Sequence, residues 1–284
     1  APELEQSLSK SARARELGIS RSSLYYHPLR PERDEDLRKQ IEGVMSENPG
    51  YGHRRIADAI GRNRKCVLRV MKKFNLKPAR RAKTPSKPAD VGVPADKFPD
   101  MLRITCPVSP CHIWVSDFTF IPFHGRFVYL STIIDLYTRE VLGWSLGVTH
   151  STELIERALQ MALARSPRTP LLLHSDQGSE FRSESFRKML VSYLIGVSLA
   201  PKSSPWRNAS QESFFGRFKV EFGDPERFAT FPELYEAIAQ HIRYYNLDRI
   251  HTALRTSPVK FRNRWIESNW RVTPENATSV FASS

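Results

Sequence analysis

Apolar residues recur at helical spacing through the first part of the chain and at strand spacing further on. Ala12, Leu17 and Ile19 precede "SRSSLYY"; Gly18 marks a turn, Ser20 can cap a helix starting at Arg21, and Pro28 ends it. Short helix, glycine turn and polar-headed second helix form a helix-turn-helix pattern over 1–30. Over 31–77, Leu37, Ile41 and Met45 fall on one helical face, Ile56 and Ile60 on a second, and Val67, Val70, Met71 and Phe74 on a third. These predict a three-helix unit whose last two members again stand in helix-turn-helix order. Residues 78–111 have no periodicity and are rich in Pro and Lys, which predicts a basic linker.

From His112 the chain becomes β-branched and aromatic. Strands are predicted at about 113–123, 126–135 and 139–149, with "HG" at 124–125 as a turn. An amphipathic helix follows in "STELIERALQMALARS", with Leu154, Ala158, Met161 and Leu163 inward. A short buried strand in "PLLLHSD", a helix near 184–194, a strand at 196–201 and two further helices complete the order βββαβαβα. That order predicts an α/β fold, a mixed sheet flanked by helices over 112–250, preceded by the small all-α modules and followed by an extension at 251–284. Phe214, Phe218 and Phe222 recur every fourth residue and read as core.

The chain has 284 residues and a net charge of +13, unevenly placed. Between Asp58 and Asp90 there is no acid but there are eleven bases. A stretch of this kind fits a polyanion, most simply DNA, although a solvated basic helix would look alike. The candidate contacts are Arg21, Arg54, Arg55, Arg64, Lys65, Arg69, Lys72 and Lys73 in the helical modules. Lys202, Arg207, Asn208 and Lys219 are the candidates further on, with Arg249 and His251 placed near DNA. Most would touch phosphate, contributing affinity more than sequence reading. No apolar run is long enough for a transmembrane helix, and the N-terminal residues show no secretory pattern. Three cysteines fit a reducing, cytoplasmic setting without a disulfide framework. "CPVSPCH" at 106–112 lacks the fourth ligand and tight spacing of a zinc site.

Three acids occupy odd places. Asp117 lies in the middle of the first strand, where a buried carboxylate is costly unless paired or metal-bound. Asp176 stands at the C-terminal end of "LLLHSD", where α/β sheets place ligands. Glu212 sits in the first turn of the phenylalanine-striped helix. For any one alone, a capping or salt-bridged carboxylate is the simpler reading. Together they point to a cluster for hard divalent cations, Mg²⁺ or Mn²⁺, and in a DNA-seeking protein to two-metal phosphodiester chemistry. Asp135 is the rival strand acid, with a turn-side or supporting role. His174 shares a strand face with Asp176, as a residue that orders the site, touches DNA or simply packs.

"WVSDFTFIP", "LLLHSDQGSEF", "SSPWRNASQESFFGRFKVE" and "YYNLDRIHTALRTSPVKF" resemble the catalytic region of bacterial IS3-family insertion-sequence transposases. Thirty-five residues separate Asp176 from Glu212, the spacing of that family's DDE signature. "IEGVMSENPGYGHRRIADAI" is similar to the helix-turn-helix segment preceding it. The resemblance covers roughly 11–265. It implies an RNase H-like fold, with Asp117 bridging two metal ions and Asp176 and Glu212 each holding one. It also implies cleavage of DNA by water, followed by attack of a freed 3′-hydroxyl on a second phosphodiester. The implied partners are double-stranded DNA, as terminal inverted repeats and target, and further copies of the chain in a homodimer or larger synaptic complex on the bacterial nucleoid. Lys219, seven residues after Glu212, matches a basic position of the family and shares the helix face of Glu212. "RN" at Arg207–Asn208 departs from the family's Asp-Asn and adds charge. Two rival readings are a DNA-binding regulator with a vestigial site and a plain nuclease.

Overall fold

The computed structural model describes residues 10–18, 20–21, 30–79, 100–200 and 209–269. The first helical pattern appears as α1 (Lys10–Glu16), closed by Gly18 in a left-handed conformation; the helix expected after Arg21 lies outside the described residues. The next three helices are α2 (Arg30–Glu47), α3 (His53–Ile60) and α4 (Arg64–Lys73). Gly61 ends α3 at φ 64°, and Asn63 caps α4 by accepting from the Lys65 amide at 2.8 Å. This two-step stop and start makes the tight turn between them. Leu37, Ile41, Ile56, Val67 and Val70 close a small core, with Tyr51 beside them.

Three antiparallel strands follow: β1 (Ile113–Phe123), β2 (Arg126–Asp135) and β3 (Val141–Gly147). Two short strands, β4 (Leu172–Ser175) and β5 (Gly196–Leu199), add in parallel on the other side of β1, giving the order β3-β2-β1-β4-β5. Helices α5 (Thr152–Arg165) and α6 (Glu184–Ser192) cover one face, with Ile155, Leu159 and Phe186 packed on Trp114, Ile133 and Leu173. On the other face lie α7 (Ala209–Phe222) and α8 (Phe231–Leu247). There Phe214, Phe218, Phe222 and Ile238 meet Val115, Leu130 and Trp144. This mixed sheet between helical layers, with β1 central, is RNase H-like.

The third strand starts at Val141, two residues later than expected. Asp135 ends β2 by accepting amides from Tyr137 (2.9 Å) and Thr138 (2.7 Å), which folds 136–140 into a turn. The described part of the C-terminal extension is largely helical. Helix α9 (Pro258–Asn269) docks on that same turn, with Arg262 bound to Glu140 at 2.7 and 2.8 Å and Phe261 against Tyr137. At the end of the linker a 3₁₀ turn at Met101–Arg103 is fastened to β5, the Met101 amide donating to Ser198 at 2.9 Å.

The helical unit also packs on the sheet domain. Arg55 faces Glu221 of α7, Tyr244 of α8 hydrogen-bonds Asn48, and the Ile250 amide donates to the Tyr51 hydroxyl at 2.6 Å.

Candidate active site

Asp117 lies on β1 opposite Thr132 of β2, two residues beyond the run Ile113–Val115 that also pairs with β4. Alternation puts its side chain on the face covered by α7, beneath the helix that carries Glu212. Asp176 directly follows β4, the parallel neighbour of β1, and its carboxylate accepts the Gly178 amide at 3.0 Å. A side chain on Gly178 would meet that oxygen at 3.1 Å, so the turn beside Asp176 leaves little room for one. Glu212 stands exposed in the first turn of α7.

These three acids feel one another. Asp117 is pushed up to about 7, first by burial, then by the charge of Asp176, and to a smaller degree by Glu212; the Phe118 amide opposes this. A carboxylate whose ionisation is opposed by two others is stabilised by a cation between them. The donor set, all carboxylate oxygen, fits a hard ion such as Mg²⁺ or Mn²⁺ and not a thiophilic one. Among the described residues, no three His, Cys, Asp or Glu side chains stand close enough together to hold a metal ion. Asp176 and Glu212 are both exposed.

The support beneath Glu212 was not legible in the sequence. Gln211, 0 % exposed, spans the gap between α7 and the sheet. Its amide donates to the Val115 carbonyl at 2.8 Å and the Thr132 carbonyl at 3.3 Å, and accepts from the Thr132 hydroxyl at 3.0 Å. Since Thr132 is the cross-strand partner of Asp117, Gln211 ties the third acid to the first. The available signal was a glutamine preceding Glu212 on a helix otherwise anchored by phenylalanines. Lys219 places its ammonium 4.5 Å from the centre of the Phe120 ring, on the flank of α7 nearest β1.

The other candidates separate. Asp135 is buried as the turn cap described above, with its second oxygen bound to the Cys111 amide at 2.6 Å. His174 is fully buried and bonds Ser198 at 2.9 Å, joining β4 to β5, so it is not presented to DNA. Arg55 is corrected: it is 6 % exposed, stacked on Tyr51 and beside Glu221, and burial lowers its guanidinium to about 10. A side chain so enclosed holds the helical unit to the sheet domain and is not presented to DNA. Arg69 is likewise engaged, binding Asp34 through both nitrogens at 2.5 and 2.7 Å, with Lys73 on the same carboxylate at 2.9 Å. Arg64 pairs with Asp58 at 3.1 Å. Arg249, placed near DNA on sequence, is 1 % exposed and bound to Glu221 at 2.6 and 2.8 Å. Arg21, Arg54, Lys65 and Lys72 are exposed. Lys202, Arg207 and Asn208 lie outside the described residues.

A cleft of about 470 Å³ runs from Glu212 along α7 to the helical unit, with Arg217 on one wall and Gly50 and Gly52 on the other.

An integrase core domain family matches residues 107–205, and a second integrase core domain family matches 212–266. The chain is 34% identical over 259 residues to the putative transposase InsK for insertion sequence element IS150 of Escherichia coli K12, covering 87% of this chain and 90% of that one. It is 31% identical over 266 residues to the insertion element IS600 31 kDa protein of Shigella sonnei, covering 87% and 96%. Among solved structures it is similar to the HTLV-2 integrase catalytic core domain in complex with magnesium. That match has 20% identity and a TM-score of 0.42, and covers 55% of this chain and 98% of that one. It is also similar to a chain of the simian T-cell lymphotropic virus intasome in complex with PP2A regulatory subunit B56 gamma, at 14% identity, 74% coverage of each and a TM-score of 0.49. With a relative at this identity over nearly the whole of both sequences, the chain belongs to the IS3-type insertion-sequence transposases that carry an integrase core domain.

Proposed function

We propose that this transposase cuts and joins double-stranded DNA at the ends of an insertion sequence, using Asp117, Asp176 and Glu212 to hold two Mg²⁺ or Mn²⁺ ions. The observation that supports the reading is that the charges of Asp176, at the end of β4, and Glu212, at the start of α7, both oppose ionisation of buried Asp117 on β1. In this reading Asp117, on the central strand, would be shared between the ions, and Asp176 and Glu212 would each hold one. Bound there, the ions would lower the barrier by activating water or a 3′-hydroxyl and by stabilising the leaving oxygen.

The chain's own residues do the rest. Asp117 must give up its proton before it can serve, so below about pH 7 an incoming ion would have to displace that proton. Gln211 keeps Glu212 in register with Asp117. Lys219 supplies a positive charge on the same face of α7 for the phosphate next to the reacting one. Arg54, Lys65 and Lys72 extend the basic surface, and no described carboxylate is paired with them. Arg21, Arg64, Lys202, Arg207 and Asn208 are further contacts in this reading, Arg64 after exchanging Asp58 for phosphate. Joining two element ends to one target calls for at least two active sites, hence a homodimer or larger synaptic assembly.

The test is incubation with duplex DNA bearing the element's terminal repeats and Mg²⁺, following nicking and joining separately. Joined product supports the transposase reading; nicking alone would mark a nuclease, and binding without chemistry a regulator.

A further inference from the structure

Four arginines from separate parts of the chain converge on one cavity of about 360 Å³ beside α7. Arg55 comes from α3, Arg139 from the β2–β3 turn, Arg217 from α7 and Arg249 from the segment after α8; Ser213 and His251 complete the polar lining. Among the described residues, Glu221 alone is ion-paired with members of this set, shared between Arg249 and Arg55. Among the described residues, Arg139 and Arg217 have no carboxylate partner, and the buried Nε2 of His251 has no hydrogen-bond partner. Arg139 is held at φ 64°, a left-handed conformation uncommon for arginine. Burial, then the charges of Arg249, Arg139, Arg55 and Arg217, lower His251 to about 3, so the imidazole stays neutral amid a surplus of positive charge.

Such a concentration of guanidinium groups is costly without an anion, and guanidinium forks match phosphate oxygens. The cavity lies beside the cleft of Glu212 and shares Arg55, Ser213 and Arg217 with it, but Glu212 does not line it. Ser213 and Arg217, one and five residues beyond Glu212, are turned by roughly 100–140° around the helix from it.

We propose that this cavity seats a backbone phosphate of duplex DNA, away from the reacting phosphodiester, resting on the DNA-joining reading above. Arg217 and Arg139 grip the phosphate, Ser213 donates to it, and buried Arg55 and Arg249 supply field. Because Arg55 belongs to the helical unit and the others to the catalytic domain, an occupied cavity lies against the junction of the two parts.

The test is metal-free binding of a short duplex of arbitrary sequence in EDTA, by fluorescence anisotropy over a salt series. The proteins are wild type, Arg217→Gln, Arg217→Lys and Arg139→Asn; asparagine tolerates the left-handed backbone at 139. Removing a cation that neutralises one phosphate should reduce the slope of log K against log salt by about 0.9. Arg217→Gln and Arg139→Asn are each expected to show that reduction, and Arg217→Lys to keep the wild-type slope. Arg217 is exposed on α7, so its replacement leaves the core intact. If wild type binds and both charge-removing variants keep its slope, the phosphate assignment is overturned while the proposed function stands. If wild type binds no duplex, the proposed function falls with it. In parallel, inorganic pyrophosphate is tested for raising the melting temperature. A rise abolished in Arg217→Gln, together with an unchanged DNA slope, would mean a free-anion site and overturn the DNA assignment.

Discussion

Asp117 is the residue on which the chemistry and the stability of the protein meet. Its pKa is raised from an ordinary value of 3.8 to about 7 by burial and by its two acidic neighbours. Without metal, the folded protein therefore holds a proton that the unfolded chain has released between those values. Stability contributed by this site falls as pH rises from about 4 to 7, and the deficit is full above 7. A shift of this size corresponds to at most on the order of 4 kcal/mol. Asp117→Asn is accordingly expected to melt higher than wild type at pH 8 in EDTA, to match it near pH 4, and to lose its advantage when Mg²⁺ is added. Melting curves at the two pH values check this; a variant less stable than wild type at pH 8 without metal would count against the clustering. Gln211 gives a second prediction. Gln211→Leu leaves the buried Val115 and Thr132 carbonyls without its amide, at a cost of about 1–3 kcal/mol. It should also raise the Mg²⁺ concentration needed for half-maximal joining, because Glu212 loses its tether to the sheet. A titration of joining against Mg²⁺ that matches wild type would show Gln211 to be structural only.

At the level of elements, the antiparallel strands were legible because their alternation and the "HG" turn leave few alternatives; β1 and β2 fall where predicted. The phenylalanine stripe of α7 was equally plain, and with it the face left for Glu212. The late start of β3 was not legible, since it depends on Asp135 capping a turn through its side chain. Nor was the docking of α9, which rests on Arg262 meeting Glu140 across the fold. Helix α5 lies close on β3 because Gly143 has no side chain: an added Cβ would fall 2.0 Å from the Ala158 carbonyl oxygen and 2.9 Å from the Ala162 Cβ. Gly143→Ala must therefore push the helix off the sheet. We expect a loss of about 1–3 kcal/mol in denaturant unfolding, comparable to other overpacked cores.

For the whole molecule, the basic surface and the acids could be read as separate signals, but not the way the helical unit meets the catalytic domain. Arg55 looked like a DNA contact because it follows Arg54 in a helix-turn-helix; its partner, Glu221, lies far along the chain in α7. Ion pairs of that sequence separation leave no local pattern. Glu221 shows the balance involved. Burial alone would raise it, yet the hydrogen bond and charge of Arg249, with Arg55 behind, hold it below the usual carboxylate range. Glu221→Ala strands two buried guanidiniums, and we expect a loss of about 3–5 kcal/mol in chemical unfolding. Faster hydrogen exchange in α3 should accompany it as the helical unit loosens. The central claim is that Asp117, Asp176 and Glu212 act by holding metal. It is tested most directly by replacing exposed Asp176 with cysteine, whose thiolate is a poor ligand for Mg²⁺ and a better one for Mn²⁺. Joining of terminal-repeat DNA by Asp176→Cys is expected to be lost in Mg²⁺ and partly restored in Mn²⁺, with DNA binding retained in both; joining at the wild-type rate in Mg²⁺ would contradict the assignment.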